Sequence, residues 1–259
     1  MASNATNRRE QLRRQQEAAA RQKRTTRIIG VAAAIVALVL VGVFAFVLIN
    51  NNRPAGPANP QGAQITPTLA NADRNALVVG PANEGKPTVT LYLDYQCPNC
   101  AVFEQNYGEM LEQGAQAGDW TLQNKTMTFM DRNLQNTAST RSAIAAACAA
   151  NTEHYAEYNK QVYANQARNE VRGAEGYSDA LLRDTIPGAV GITGEELTAF
   201  QACYDGQATQ DFVASVDKGA YADGVQGTPT LAVNGKILDL QKAPDLSPNG
   251  LKAYILSNA

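Results

Sequence analysis

The sequence predicts an α/β fold with a large helical insertion, and three observations predict it. An apolar run, Val89 to Leu93, leads through Tyr95-Gln96-Cys97-Pro98-Asn99-Cys100 into a segment with helical spacing. Residues 134 to about 219 are predominantly helical in pattern. The sheet then resumes as an apolar strand, an Asn-Gly turn and a second strand, and a helix closes the chain.

Taken in order, the folded domain is expected over 71–259. Ala76 to Val79 reads as a short strand, followed by the Gly/Pro-rich turn Gly80 to Pro87. Thr88 to Tyr95 is the strongest strand signal, with Val89, Leu91 and Leu93 on one face. Beyond the cysteines, Phe103, Tyr107, Met110 and Leu111 recur at helical spacing, and Gly114 with Gly118 marks the helix end. Thr121 to Met130 reads as a third strand, broken by Asp131-Arg132-Asn133. In the helical block, Ser142 to Ala150 surrounds Cys148, His154 to Val162 carries Tyr155 and Tyr158, and Glu195 to Tyr204 follows a Thr193-Gly194 start. Leu231 to Val233 is the next strand, Asn234-Gly235 the best hairpin turn, Ile237 to Leu240 the returning strand, and Pro244 to Ser257 the closing helix.

Charge separates the ends of the chain. Residues 1–27 hold eight basic residues against Glu10 and Glu17, a balance of +6, so with a net charge of −2 the remainder carries −8. An acidic bulk argues against nucleic-acid binding, which needs a basic face. Ile28 to Ile49 runs 22 residues without charge or proline. As a helix it would be about 33 Å long, enough to cross a bilayer, and no small-residue cleavage site follows it. The basic cluster before it places the N-terminus in the cytoplasm and the rest outside. The expected organisation is a basic cytoplasmic segment at 1–27, a transmembrane anchor through the lipid bilayer at 28–49, a flexible Asn/Pro/Gly/Gln-rich linker at 50–70, and the domain on the far side of the cell membrane.

Two thiols three positions apart at a strand-to-helix junction can join and part without moving the backbone. Cys97 falls at the helix start, where unpaired N–H groups and the positive end of the macrodipole favour a thiolate. Cys100, one turn further in, is expected to be more buried and to resolve a mixed disulfide made at Cys97. Pro98 suits the first helical position because it has no N–H to leave unsatisfied. Two rival readings are half a zinc site and a structural disulfide. Zinc needs about four ligands, and the chain offers His154 and two distant cysteines besides this pair; no metal and no cofactor are expected. A bridge across so short a loop constrains the unfolded chain very little. If Cys97 pairs with Cys100, the remaining Cys148 and Cys203 would close a long loop as a staple worth roughly 4 kcal/mol. A lone helical histidine such as His154 is more often surface or core than catalyst.

Cys97-Pro98-Asn99-Cys100 after a strand, a helical insertion, and Gly227-Thr228-Pro229-Thr230 before a hairpin resemble the DsbA-like branch of the thioredoxin superfamily, particularly its membrane-anchored actinobacterial forms. The similarity covers roughly residues 76 to 258. It implies a thioredoxin fold with a helical insertion, catalysis by Cys97 and Cys100, a cis bond before Pro229, and substrate contact at Thr228 and Pro229. Pro98 and Asn99 are the positions that tune the pair. Two departures stand out. The family often carries an acid six positions before the first cysteine, where this chain has Leu91; Asp94 is the nearest acid, on the other face of a regular strand. Asn99 replaces the histidine common in oxidising members, so a milder oxidant is expected.

The resemblance implies an extracytoplasmic thiol–disulfide oxidoreductase, an enzyme that forms disulfides in reduced, unfolded secreted or membrane proteins and is restored by a membrane or soluble reoxidising partner. The alternatives are a disulfide reductase or isomerase of the same fold, or a redox-inactive peptide-binding module.

Overall fold

The computed structural model describes residues 63–167 and 171–259. A five-stranded mixed sheet runs in the order β1-β3-β2-β4-β5. Its strands are β1 (Leu77–Val79), β2 (Thr88–Leu93), β3 (Thr121–Thr126), β4 (Thr230–Val233) and β5 (Lys236–Ile237). β2 lies at the centre, parallel to β3 (Leu91 opposite Asn124) and antiparallel to β4 (Leu91 opposite Leu231). Val89, Leu91 and Leu93 join the larger core cluster on one face, while Tyr92 packs with Met127, Ala220, Val225 and Ala232 on the other. The register of β2 is thereby fixed from both sides.

A parallel pair needs a crossover, and the crossover from β2 to β3 carries the Cys97–Cys100 segment. It consists of α1 (Pro98–Phe103), a π-helical turn (Glu104–Gly108) and α2 (Glu109–Gln116). The chain continues through α3 (Phe129–Leu134), α4 (Ala138–Ala149), α5 (Tyr155–Ala164), a second π turn (Leu181–Thr185), α6 (Ile186–Ala189), α7 (Gly194–Asp205) and α8 (Gln210–Ala222). α4 is the axle of this insertion: ten of its twelve residues are buried, and α3, α5, α7 and α8 all pack on it. Its alanines let those neighbours approach closely. Cys148 on α4 is bonded to Cys203 on α7, with Cα atoms 5.9 Å apart. α9 (Pro248–Ser257) packs against α2.

Several sequence expectations move. The third strand ends at Thr126, and Met130 lies in α3 instead, because Asp94 Oδ2 accepts from Met130 N and Asp131 accepts from Ser139 N and Thr140 N at the start of α4. Those tertiary carboxylates override the strand pattern. Gly114 does not end its helix. It lies inside α2, where a Cβ would come within 2.0 Å of the Trp120 ring; the chain leaves the helix at Gly118, whose φ is +78°. The last strand stops at Ile237, since the Asp239 side chain caps a 3-10 turn at Leu240–Lys242. The closing helix starts at Pro248, with Ser247 as its cap accepting from Gly250 N. The boundary at residue 71 also shifts. Ile65 N donates to Ala208 O, the Thr68 hydroxyl to Ala150 O, and Ala70 bridges to Leu77, so residues 64–70 are tied to the domain.

Among the described residues no helix is long and apolar enough to cross a membrane. The basic segment at 1–27, the span expected at 28–49 and the linker as far as residue 62 lie outside the described residues.

Candidate active site

β2 ends at Leu93, and the chain turns through Asp94-Tyr95-Gln96 before Cys97 N closes the turn on Asp94 O at 3.0 Å. Cys97 is the N-cap of α1, with extended backbone (φ −74°, ψ 118°), and Pro98 occupies the first helical position. Cys97 is 6 % exposed and Cys100 2 %. The outer and inner roles assigned from spacing therefore match their depths. Pro98 and Asn99 are exposed on the rim.

The helical insertion holds this turn by its backbone. Gln166 Nε2 donates to Tyr95 O (2.7 Å) and to Cys97 O (3.1 Å), and the Tyr177 hydroxyl donates to Tyr95 O at 2.8 Å. Asp94, fully buried, anchors the turn from below. One carboxylate oxygen accepts from Gln96 N (2.9 Å) and the Ser139 hydroxyl (2.6 Å), the other from Met130 N (3.1 Å). Burial raises its pKa to about 7, against the pull of those three bonds. Strand alternation does not carry through to Asp94, because β2 has already ended; the carboxylate instead joins β2, α3 and α4. Gln96 Nε2 completes the link through Asp131, Asn136 and Ser139.

Across from Cys97, the Thr228–Pro229 peptide bond is cis. The Cys97 thiol donates to Thr228 O at 3.3 Å. The Thr228 side chain favours the charged form of both sulfurs. The two cysteines are free thiols with opposite electrostatics. The Cys97 pKa is lowered to about 6, first by a hydrogen bond from Cys100, then by Thr228 and the N–H groups of Cys100 and Asn99, with burial opposing. Burial, and then the charge on Cys97, push Cys100 far up. Leu91 sits buried in mid-strand between Asn124 and Leu231, so no acid lies at the family's usual strand position.

His154 precedes α5 with Nε2 3.8 Å from Glu196 and has no bond to either free cysteine. Among the described residues no group of three or more His, Cys, Asp and Glu side chains could hold a metal ion. Reading the sequence singled out Cys97, Cys100, Thr228 and Pro229, which the fold brings together. It missed Gln166, Tyr177 and Ser139, which act on backbone or on Asp94 from 45 to 82 positions away. No local pattern marks them.

An easily ionised outer sulfur beside a deep partner thiol can exchange with a foreign disulfide and then close on itself, the chemistry of a thiol–disulfide oxidoreductase. A family model described as thioredoxin matches residues 73–254, and the chain belongs to that family. Solved structures share the fold. A reduced disulfide-bond oxidoreductase (DsbG) from Mycobacterium tuberculosis is 22 % identical, covering 73 % of this chain and 89 % of that one, with a TM-score of 0.56. The MdbA thiol–disulfide oxidoreductase of Corynebacterium diphtheriae is 18 % identical over 80 % of this chain and 100 % of that one, TM-score 0.57. MdbA from Actinomyces oris is 19 % identical over 77 % and 92 %, TM-score 0.59. No curated protein matches the chain.

Proposed function

We propose that this protein is an extracytoplasmic, membrane-tethered oxidase of protein thiols that donates a Cys97–Cys100 disulfide to reduced, unfolded secreted or membrane proteins. The carrying observation is the asymmetry of the pair: Cys97 is stabilised as a thiolate at the cap of α1, while Cys100 is not. A client thiolate attacks Cys97, the Cys97–Cys100 bond breaks, and a mixed disulfide forms. A second client thiolate then attacks the client sulfur of that bond. Cys97 departs as the better leaving group, the client gains a disulfide, and both active-site thiols are left reduced.

Thr228 supports the substrate role assigned to the cis-proline loop. Its carbonyl is held by the Cys97 thiol in the reduced form, so loss of that proton, or bonding of the sulfur to a client, frees the carbonyl for an N–H of an extended peptide. A membrane or soluble partner must then remove two electrons to restore the disulfide. Tethering rests on the length of the apolar run at 28–49 and the basic cluster before it.

The test is reoxidation of reduced, unfolded ribonuclease by the oxidised full chain in detergent. The expected result is recovery of ribonuclease activity well above buffer and a potential more reducing than about −120 mV, as Asn99 implies. No gain over buffer, with Cys97 unreactive to a thiol reagent at neutral pH, would favour a peptide-binding module.

A further inference from the structure

We infer that Gln166 is a positioning residue for Cys97: its amide nitrogen clamps the two carbonyls on either side of Gln96 and so aims the outer sulfur at Thr228 O and at the N–H groups of Asn99 and Cys100. The inference rests on the reading of Cys97 as the reactive thiol.

The clamp needs two donors on one uncharged nitrogen, which a glutamine amide supplies. One hydrogen goes to Tyr95 O at 2.7 Å and the other to Cys97 O at 3.1 Å. Cys97 O also accepts from Cys100 N at 3.0 Å and from Ala101 N at 3.3 Å, the first bonds of α1. Those two bonds come from the helix itself, whereas Gln166 ties the same carbonyl to a different element. It thereby fixes the extended backbone of the cap residue (ψ 118°), and with it the direction in which the Cys97 side chain leaves the chain.

The amide sits at the end of a rigid arm. α5 ends at Ala164, and Gln166 N donates to Tyr163 O at 3.0 Å, which anchors residue 166 to the last turn of that helix. α5 grips Tyr95, wholly buried, at two further points. The Tyr163 ring lies 5.1 Å from the Tyr95 ring, and Asn159 Oδ1 accepts from the Tyr95 hydroxyl at 2.9 Å. The active-site turn and α5 are locked together, and Gln166 is the contact of this lock that reaches the Cys97 backbone.

Position matters here because the groups that favour the Cys97 thiolate act at short range: the Cys100 thiol, the Thr228 side chain and the N–H groups of Cys100 and Asn99. A hydrogen bond weakens steeply as its angle departs from linear, so a small swing of the sulfur loses several of them at once. Gln166 carries no charge. Replacing it with a neutral residue leaves every charged group near the turn in place: Asp94 beneath it, Cys100 in α1, and Glu104 and Lys160 along the groove beside Pro98. A change in Cys97 then reports orientation and not a lost charge.

The test compares the reduced full chain in detergent with Gln166→Met, which keeps the length of the side chain and removes both donors, and with Tyr177→Phe, which removes a bond to Tyr95 O and none to Cys97 O. The readouts are ultraviolet thiolate titration from pH 4 to 9 and alkylation of Cys97 by iodoacetamide at pH 5. Gln166→Met should alkylate about fivefold more slowly, the scale of one hydrogen bond, with its ionisation displaced upward to match. Its equilibrium with glutathione at pH 7 should move by a similar factor toward the disulfide. Tyr177→Phe should stay within about twofold of the unaltered chain in all three. Gln166→Ala, which removes the bulk as well, should repeat the result of Gln166→Met. If Gln166→Met titrates and alkylates like the unaltered chain, the inference is overturned. It is overturned equally if Tyr177→Phe shifts Cys97 as much, since the turn then needs only general support. An unaltered chain that ionises near 8.5 sinks the redox reading itself, and this inference with it.

Discussion

The molecule holds two cysteine pairs, and they differ in everything except their element. Cys97 and Cys100 lie on one helix, three positions apart, at a polar junction where backbone N–H groups, the Thr228 hydroxyl and the cis-proline loop meet the outer sulfur. Cys148 and Cys203 lie on two helices, 55 positions apart, with Cys148 in the alanine-packed centre of α4. The first arrangement stabilises a charge on one sulfur and ties almost no chain together. The second ties much chain together. What decides between redox centre and staple is thus the spacing and the donors around the sulfurs.

The largest effect that can break this contrast is substitution of one pair at a time. Cys97→Ala should lower ribonuclease reoxidation at least 1000-fold and leave thermal melting almost unchanged, as expected for loss of a covalent nucleophile in a short loop. The double variant Cys148→Ala/Cys203→Ala should lose about 4 kcal/mol in denaturant unfolding, as the chain-entropy model gives for a loop of this length. Below its melting range it should keep an easily ionised Cys97. Equal loss of stability from both changes would erase the distinction.

A graded reduction sharpens it further. Glutathione buffers that fully reduce Cys97–Cys100 should leave Cys148–Cys203 intact, because structural disulfides resist the glutathione pool. Mass spectrometry after alkylation counts the thiols; two modified cysteines is the expected intermediate, and a direct step to four contradicts it.

A smaller effect isolates the acid beneath the active-site turn. The folded pKa of Asp94, about 7, lies above the unfolded value near 3.9. Between those values the folded state binds the extra proton, so this group's contribution to stability falls as pH rises from about 4 to about 7 and is level beyond. Glu104, also raised, adds a slope of the same sign. In melting experiments Asp94→Asn should therefore be most destabilising, relative to the unaltered chain, near pH 4, and the gap should narrow steadily to pH 8. A gap that widens with pH would mean the buried carboxylate is stabilised as a charge.

The same contrast explains what could be read from sequence. The redox pair is local, and its spacing, the proline at the helix start and the distant Gly-Thr-Pro-Thr segment all declare themselves in the chain. The order of strand, crossover helix and hairpin was likewise legible, since β2 alternates and Asn234-Gly235 adopts the positive φ values a tight hairpin needs. Elements whose ends are set by tertiary polar contacts were not. Asp94 and Asp131 convert the end of an apparent strand into α3 and the start of α4. Trp120 needs the space above Gly114, so a glycine that reads as a helix terminator is a packing residue.

The most direct measurement is an ultraviolet thiolate titration of the reduced chain, with Cys97→Ala as the blank. The account predicts a single ionisation near pH 6 that disappears in the blank. A midpoint near 8.5, that of an ordinary cysteine, would contradict it.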